Sequence, residues 1–493
     1  MAPQTSQPAA PSSDERAKGT PPTVFVLFGA TGDLARRMVL PAFFDLARRD
    51  LMPADWRLVG NGRGDVSHEE FRDRVRSALE EFGPAPQDGP WEDFSERLLF
   101  AGGGFTEEDP GSLTDVLADA RRQLQEADGV GGEDVHLVHF LALPPSAFPG
   151  YTRALGTHGL TEGATVVYEK PFGASPEEFR ELDALVHEVL QEEQVFRIDH
   201  FLGKEGTRSL HVLRFGNALL GTAWGRDLVE EVQVDVPEPL DVDDRAEFYD
   251  ETGALLDMLV THLLQVSAEV AMEPPASFAP ADLQEARAAA LAAVRPLSRD
   301  DVVLGQYEGY RDLEDVADDS STDTYVAARL WVDTDRWRGV PFVLRTGKRL
   351  AGDAQRVSLL LRRPERSPLG ELPVGGDVLT VDLKGPGAVE LGVVVKAPGP
   401  ELALAAATAG LSLADAGDGD PLPPYVALLH DVMTGDRSLF TSSTGLEHAW
   451  AVVEPVLADR PEVLPYAPGS WGPEAADALT GPRGWVLRGE GQG

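Results

Sequence analysis

Thr23-Val24-Phe25-Val26-Leu27-Phe28-Gly29-Ala30-Thr31-Gly32-Asp33-Leu34 decides how the first part of the chain folds. Its opening apolar run suits a strand buried on both faces. A glycine turn follows, then a helical pattern over 35–49 with Pro41 as its one interruption. In a strand–turn–helix unit the turn amides and the helix N-terminus point at an anion, and glycine lets the backbone approach it closely. The turn is Gly-x-x-Gly, not Gly-x-Gly-x-x-Gly, so by itself it also describes a plain connection. Its place at the head of an alternating run raises the dinucleotide reading.

Outward from this unit, residues 56–60 read as a second strand and 67–82 as a helix. Ser67 is the cap of that helix, with Glu70 completing a capping box. A helix over 112–126 and strands over 135–143 and 165–169 continue the alternation, so 21–198 reads as one doubly wound, parallel α/β domain. The pattern then changes. Residues 229–236 alternate apolar and polar, as in an antiparallel strand with one wet face, and 253–269 reads as a long helix. Strands over 324–332, 340–345, 357–362, 378–383 and 389–395 imply an α+β domain on a large, mainly antiparallel sheet. Helices over 425–434 and 444–457 bring that domain, 199–460, to its end. Residues 1–20, rich in Pro, Ser and Ala, read as a disordered tail. The Pro- and Gly-rich extension 461–493 either wraps the surface or frays.

A chain of 493 residues implies two or three domains. It carries 82 acidic and 43 basic residues, a net charge of −39. That field repels nucleic acid and anionic membranes, so no nucleic acid and no membrane partner is expected. A phosphate ligand would need a local basic pocket. The absence of cysteine excludes disulfides, thiolate metal sites and a Cys nucleophile, and suits a cytoplasmic protein. No basic-then-apolar leader opens the sequence, and no apolar stretch approaches the roughly 20 residues of a membrane span.

Four segments carry chemistry. The second strand ends Val59-Gly60-Asn61-Gly62-Arg63, with no acid for a ribose diol and a cation for a 2′-phosphate. This points to NADP, with Arg36 and Arg37 as further positive charge; Asp65 keeps dual use of NAD open, and Arg63 could be a plain surface arginine. In Arg197-Ile198-Asp199-His200-Phe201-Leu202-Gly203-Lys204-Glu205, His200 and Lys204 are four apart. On one helix face they could share a phosphate, or merely form a solvated face. His262 lies within the apolar run 257–265. It reads either as a hydrogen-bonded core histidine or as a general base held by a carboxylate. Lys170 follows a strand end, where open α/β sheets place their ligands, and its bond to Pro171 could be cis or trans.

Together these segments resemble the glucose-6-phosphate dehydrogenase family. The likeness runs in order from about residue 23 to about 460. It includes Phe28-Gly29-Ala30-Thr31-Gly32-Asp33-Leu34, Glu169-Lys170-Pro171-Phe172-Gly173, the run 197–205, Val212-Leu213-Arg214-Phe215-Gly216-Asn217, the run 257–265 and Arg336-Trp337-Arg338-Gly339-Val340-Pro341-Phe342. The resemblance implies a Rossmann-like coenzyme domain, then a β+α domain whose mostly antiparallel sheet commonly forms a dimer interface, in a homodimer or homotetramer. It implies oxidation of the C1 hydroxyl of glucose 6-phosphate to the 1,5-lactone, the entry to the oxidative pentose phosphate pathway, with NADP and no metal. His262 would be the base and Asp199 its orienting partner. Lys170, His200, Lys204, Glu238, Asp257 and Lys348 would bind substrate; Gly29, Thr31, Gly32, Asp33, Leu34, Arg63 and Lys170 would bind cofactor. Three departures stand out. Phe201 replaces the usual tyrosine. The stretch Ala351-Gly352-Asp353-Ala354-Gln355-Arg356 lacks a usual basic contact, for which only Arg349 or Arg356 could substitute. Lys384 stands where some members have glutamine. A different hexose 6-phosphate, or a non-catalytic dinucleotide-binding role, are the alternatives.

Overall fold

The computed structural model describes residues 19–128, 135–242, 245–373, 376–417 and 419–489. The expected tail lies outside them through residue 18. Two compact units divide the chain. The first comprises the chain up to Phe172 with Glu181–Ile198 and Tyr425–Phe440; the second comprises Gly173–Arg180, Asp199–Pro424 and the chain from Thr441.

In the first unit, β1 (Thr23–Phe28), β2 (Trp56–Asn61), β3 (Leu98–Ala101), β4 (His136–Leu141), β5 (Thr165–Tyr168) and β6 (Val195–Arg197) form a sheet in the order β3-β2-β1-β4-β5-β6. All its pairs are parallel. The order reverses at β1, so the crevice of this doubly wound sheet opens where the glycine turn leaves β1. A π-helical turn, Ala35–Val39, leads into α1 (Leu40–Arg48). Helical geometry runs unbroken over 33–48, and Pro41 follows directly on the π-helical turn, the irregularity that accommodates its missing N–H as expected of a proline within a helix. Ser67 caps α2 (His68–Phe82), its Oγ accepting from Glu70 N at 3.1 Å. The Glu70 carboxylate turns to Arg74 at 2.6 Å and not back to the cap. Residues 425–440 return from late in the chain. Tyr425 donates its hydroxyl to Glu169 Oε1 at 3.1 Å, and the Phe440 ring meets Phe196 edge-on at 4.7 Å.

The second unit is built on β7 (Val229–Pro237), β8 (Val302–Tyr307), β9 (Tyr325–Trp331), β10 (Pro341–Gly347), β11 (Arg356–Leu361), β12 (Val378–Asp382), β13 (Ala388–Lys396), β14 (Leu404–Ser412) and β15 (Val463–Tyr466). The order is β14-β13-β12-β11-β7-β10-β9-β8-β15, antiparallel except for β7–β10 and β8–β15. The wet face expected of β7 is absent. Glu231, Gln233 and Asp235 are only 2, 1 and 4% exposed. Asp235 holds the buried Arg345 through two bonds of 3.0 and 2.5 Å. Residues of the 461–493 extension cover the rest: Gln233 Nε2 donates to Gly484 O (2.8 Å), and Gly481 N donates to Glu231 Oε2 (2.6 Å). The polar alternation therefore encodes a buried, hydrogen-bonded layer.

The helical run Ala246–Ala271 comprises α3 (Ala246–Ala254), a π-helical stretch (Leu255–Leu263) and α4 (Leu264–Ala271). It corrects the expectation that no apolar stretch is of membrane-spanning length, since by length and composition it could cross one. Within the second unit 89% of its most apolar window is buried, as for a core helix that is apolar all round.

Candidate active site

The run 199–205 does not carry His200 and Lys204 on a helix face. Asp199 Oδ1 accepts from Phe201 N at 2.9 Å, which holds 199–204 as a turn, and Lys204 is the N-cap of the helix Glu205–Gly216. The same Oδ1 accepts from His262 Nδ1 at 2.6 Å. Both residues are buried, His262 fully. An ionised carboxylate only accepts, so Nδ1 carries the proton, and in the neutral ring Nε2 is the nitrogen with a lone pair. Nε2 is buried and has no hydrogen-bond partner among the described residues. His262 sits in the π-helical stretch, an irregularity that recurs at functional sites because it re-aims side chains.

Phe201 lies almost parallel to the His262 ring, with centroids 4.7 Å apart, and His200 meets that ring at 4.6 Å. The Lys204 ammonium lies 3.8 Å from the Phe201 ring centroid and is hydrogen-bonded to Gln355 Oε1, a residue the sequence reading had not assigned. Burial lowers the Lys204 pKa to about 8, against the pull of Asp199, Glu238 and Asp382. Asp199, His200 and His262 also offer three donor atoms within 4.8 Å of one another; its Nδ1–Oδ1 pair is joined here by a proton.

The ends of β7 and β10 bring Glu238 and Lys348 together as an ion pair. Lys348 Nζ stands 5.7 Å from the Tyr249 ring centroid. Burial, then the charges of Asp257, Asp323 and Glu238, push the Tyr249 phenol well up, and Asp257 is itself buried. Glu238, Asp257 and Lys348, distant in sequence, are thus all near enough to Tyr249 to act on it. Neither proposed substitute is a free cation: Arg349 faces Asp241 at 3.5 Å and Arg356 faces Asp382 at 3.5 Å.

In the first unit, Gly29 has φ +74°, and a Cβ there would stand 2.3 Å from Ala142 O. Only glycine fits that corner. Gly32 N donates to Gly29 O at 2.8 Å, closing the turn, and Thr31, Gly32 and Asp33 are exposed along it. Asp33 is paired with Arg37 and Glu81 with Arg36, both as exposed ion pairs that hold the arginines only weakly. Arg63 is exposed and makes no ion pair among the described residues. An open glycine cradle at the head of a parallel sheet fits the phosphates of a dinucleotide. Lys170 precedes a cis peptide bond to Pro171. Its neighbour Glu169 is pushed up to about 7 by burial, which outweighs the Tyr425 hydrogen bond and the Lys170 charge.

Comparisons with known proteins agree over most of the chain. The family model described as "Glucose-6-phosphate dehydrogenase, NAD binding domain" matches residues 26–208, and "Glucose-6-phosphate dehydrogenase, C-terminal domain" matches 211–486. Glucose-6-phosphate 1-dehydrogenase 2 of Mycobacterium tuberculosis is 36% identical over 495 residues, spanning 94% of this chain and 95% of that protein. Glucose-6-phosphate 1-dehydrogenase 6, cytoplasmic, of Arabidopsis thaliana is 33% identical, spanning 94% and 91%. Two solved structures superpose over nearly the full length. The Mycobacterium avium glucose-6-phosphate 1-dehydrogenase has a TM-score of 0.81 at 34% identity, covering 95% of this chain and 98% of that one. A glucose-6-phosphate dehydrogenase in complex with its substrate glucose-6-phosphate has a TM-score of 0.87 at 28% identity, covering 94% and 98%.

Proposed function

The chain belongs to the glucose-6-phosphate dehydrogenase family, and from that premise we propose that it oxidises the C1 hydroxyl of glucose 6-phosphate to the 1,5-lactone with NADP. The carrying observation is the buried His262, with Nδ1 on Asp199 and Nε2 without a partner among the described residues. A base so oriented takes the hydroxyl proton on Nε2, and the Asp199 carboxylate stabilises the resulting imidazolium. His200 and Lys204 hold the 6-phosphate; Glu238, Asp257 and Lys348 bind the sugar hydroxyls. Lys170 serves both substrate and cofactor. Gly29, Thr31, Gly32, Asp33 and Leu34 cradle the dinucleotide phosphates, and Arg63 supplies the charge that favours a 2′-phosphate. When bound, the nicotinamide supplies the hydride acceptor; the chain supplies geometry and the base.

On this reading, 21–198 is the coenzyme domain and 199–460 the substrate and dimerisation domain of a cytoplasmic enzyme. The edge strand β14 supports a homodimer: it is exposed along most of its length and made of Leu, Ala, Thr, Gly and Ser. NADPH absorbance with a panel of hexose 6-phosphates tests the assignment. Turnover is expected to be highest with glucose 6-phosphate and NADP. A different preferred sugar would move the specificity, and no turnover with any sugar would leave a dinucleotide-binding protein. Phe201, which lacks the hydroxyl of the usual tyrosine, is the observation that favours checking other sugars.

A further inference from the structure

A buried carboxylate outside the assigned residues stands where the two elements that carry the chemistry meet. Asp323 lies just before β9 and is fully buried. Its Oδ2 accepts from Leu255 N at 2.6 Å, and its carbonyl accepts from Ala254 N at 2.8 Å. Both amides lie at the entry to the π-helical stretch Leu255–Leu263, which carries Asp257 and His262. The next residue, Thr324, accepts from Lys348 N through its carbonyl at 2.9 Å and so fixes the end of β10. That last bond is made by backbone alone, so it does not depend on the state of the Asp323 carboxylate.

Arg460 arrives from just before β15 and pairs with Asp323 through Oδ1. The Arg460 side chain is 42% exposed, and with Gln306, Tyr307, Arg311 and Glu462 it lines a cleft of about 690 Å³. An ionised carboxylate buried without a partner is strongly unfavourable. Burial pushes Asp323 up to about 6, against the pull of Arg460 and of the Leu255 amide. The phenols that interact with it, Tyr249, Tyr310 and Tyr466, are themselves raised by burial, so they stay neutral and offer no countercharge.

We propose that Arg460 is a positioning residue for the reaction: paired with Asp323, it keeps that carboxylate an ionised acceptor for Leu255 N and so holds the stretch bearing His262 in register with Asp199. The proposal rests on the dehydrogenase reading above. A carboxylate is a stronger acceptor than the protonated acid, so loss of its charge loosens the entry of the stretch. A base displaced by a fraction of an ångström loses much of its rate. Arg460 acts here from the wall of a cleft, through one carboxylate and one amide.

Hydrogen exchange of the segment beginning at Leu255, read by mass spectrometry on the full chain, tests this alongside steady-state kinetics. Arg460→Ala is expected to speed that exchange about tenfold or more and to lower kcat roughly fivefold to tenfold, with Kd for glucose 6-phosphate, by calorimetry, changed less than about threefold. Without its countercharge the Asp323 pKa rises further, and the acid limb of kcat should move up by about one pH unit. The cleft leaves room for a replacement. Methylguanidinium at millimolar concentration should restore much of both kcat and exchange protection, and Arg460→Lys should retain both. In an Asp323→Asn background, which has no charge to hold, Arg460→Ala should add little further loss. That double variant leaves no unpaired buried carboxylate, so it stays measurable if Arg460→Ala alone folds poorly. Unchanged exchange or unchanged kcat in Arg460→Ala overturns the proposal. So does a loss that neither methylguanidinium nor Arg460→Lys repairs, or one that persists in full in the Asp323→Asn background. The exchange readout needs no turnover, so an unaltered protein that proved inactive would sink the dehydrogenase reading and still leave the Arg460–Asp323 coupling decided.

Discussion

A carboxylate on Nδ1 leaves His262 one nitrogen with which to accept a proton. His262→Asn should therefore lower kcat by ~100-fold or more while substrate affinity, read by calorimetry, stays close to that of the unaltered protein. Equal losses in both would make His262 a binding residue. Lys204 supplies a pH signature. Burial brings its pKa down to about 8, so its charge is present below that pH and is lost as pH rises through it. KM for glucose 6-phosphate should climb above about pH 8, and Lys204→Arg, charged throughout, should flatten that limb while kcat keeps its own profile. These roles were only half legible in the sequence. A lone histidine in an apolar helix is usually core, and its partner lies 63 residues away. Only the fold brings the two together. Gln355 and Tyr425 carried no signal, because their importance lies in what they touch.

Among elements, the irregular ones place the chemistry. Gly253 has φ +70°, and a Cβ there would stand 2.7 Å from Asp323 Oδ1. The Asp323 carboxylate in turn accepts from Leu255 N at 2.6 Å, at the entry to the π-helical stretch that carries His262. Gly253→Ala should cost ~1–3 kcal/mol of stability and lower Tm and kcat together. An unchanged Tm would show that the turn relaxes freely. Periodicity read the long elements well: β1 spans the expected residues and α2 starts at its capping serine. It did not mark β3, β6, β8 or β15, of four, three, six and four residues. It also missed β14, whose Ala- and Gly-rich sequence has little strand propensity and is held by nine register pairs with β13. In β7 the period was right and the environment wrong, because the partners of its polar face lie elsewhere in the chain.

For the molecule as a whole, the acidic surface and the exposed edge strand matter most. A chain with net charge −39 must draw an anionic substrate against its own field. Added salt should therefore speed association until it begins to screen the phosphate contacts themselves. Among the described residues no strand lies on the outer side of β14, which is exposed over most of its residues. An edge of this kind invites pairing. Light scattering is expected to find a dimer, and Ala407→Lys should shift it towards monomer; a monomeric unaltered chain would remove β14 from that role.

The covered polar layer of β7 also bears on how the protein is made. Glu231 and Gln233 find their backbone partners at Gly481, Gly484 and Val486, some 250 residues further along. A ribosome that has released β7 and β10 has produced a sheet whose centre still displays charge awaiting its cover. The second unit is therefore expected to complete its packing only after that late segment has arrived.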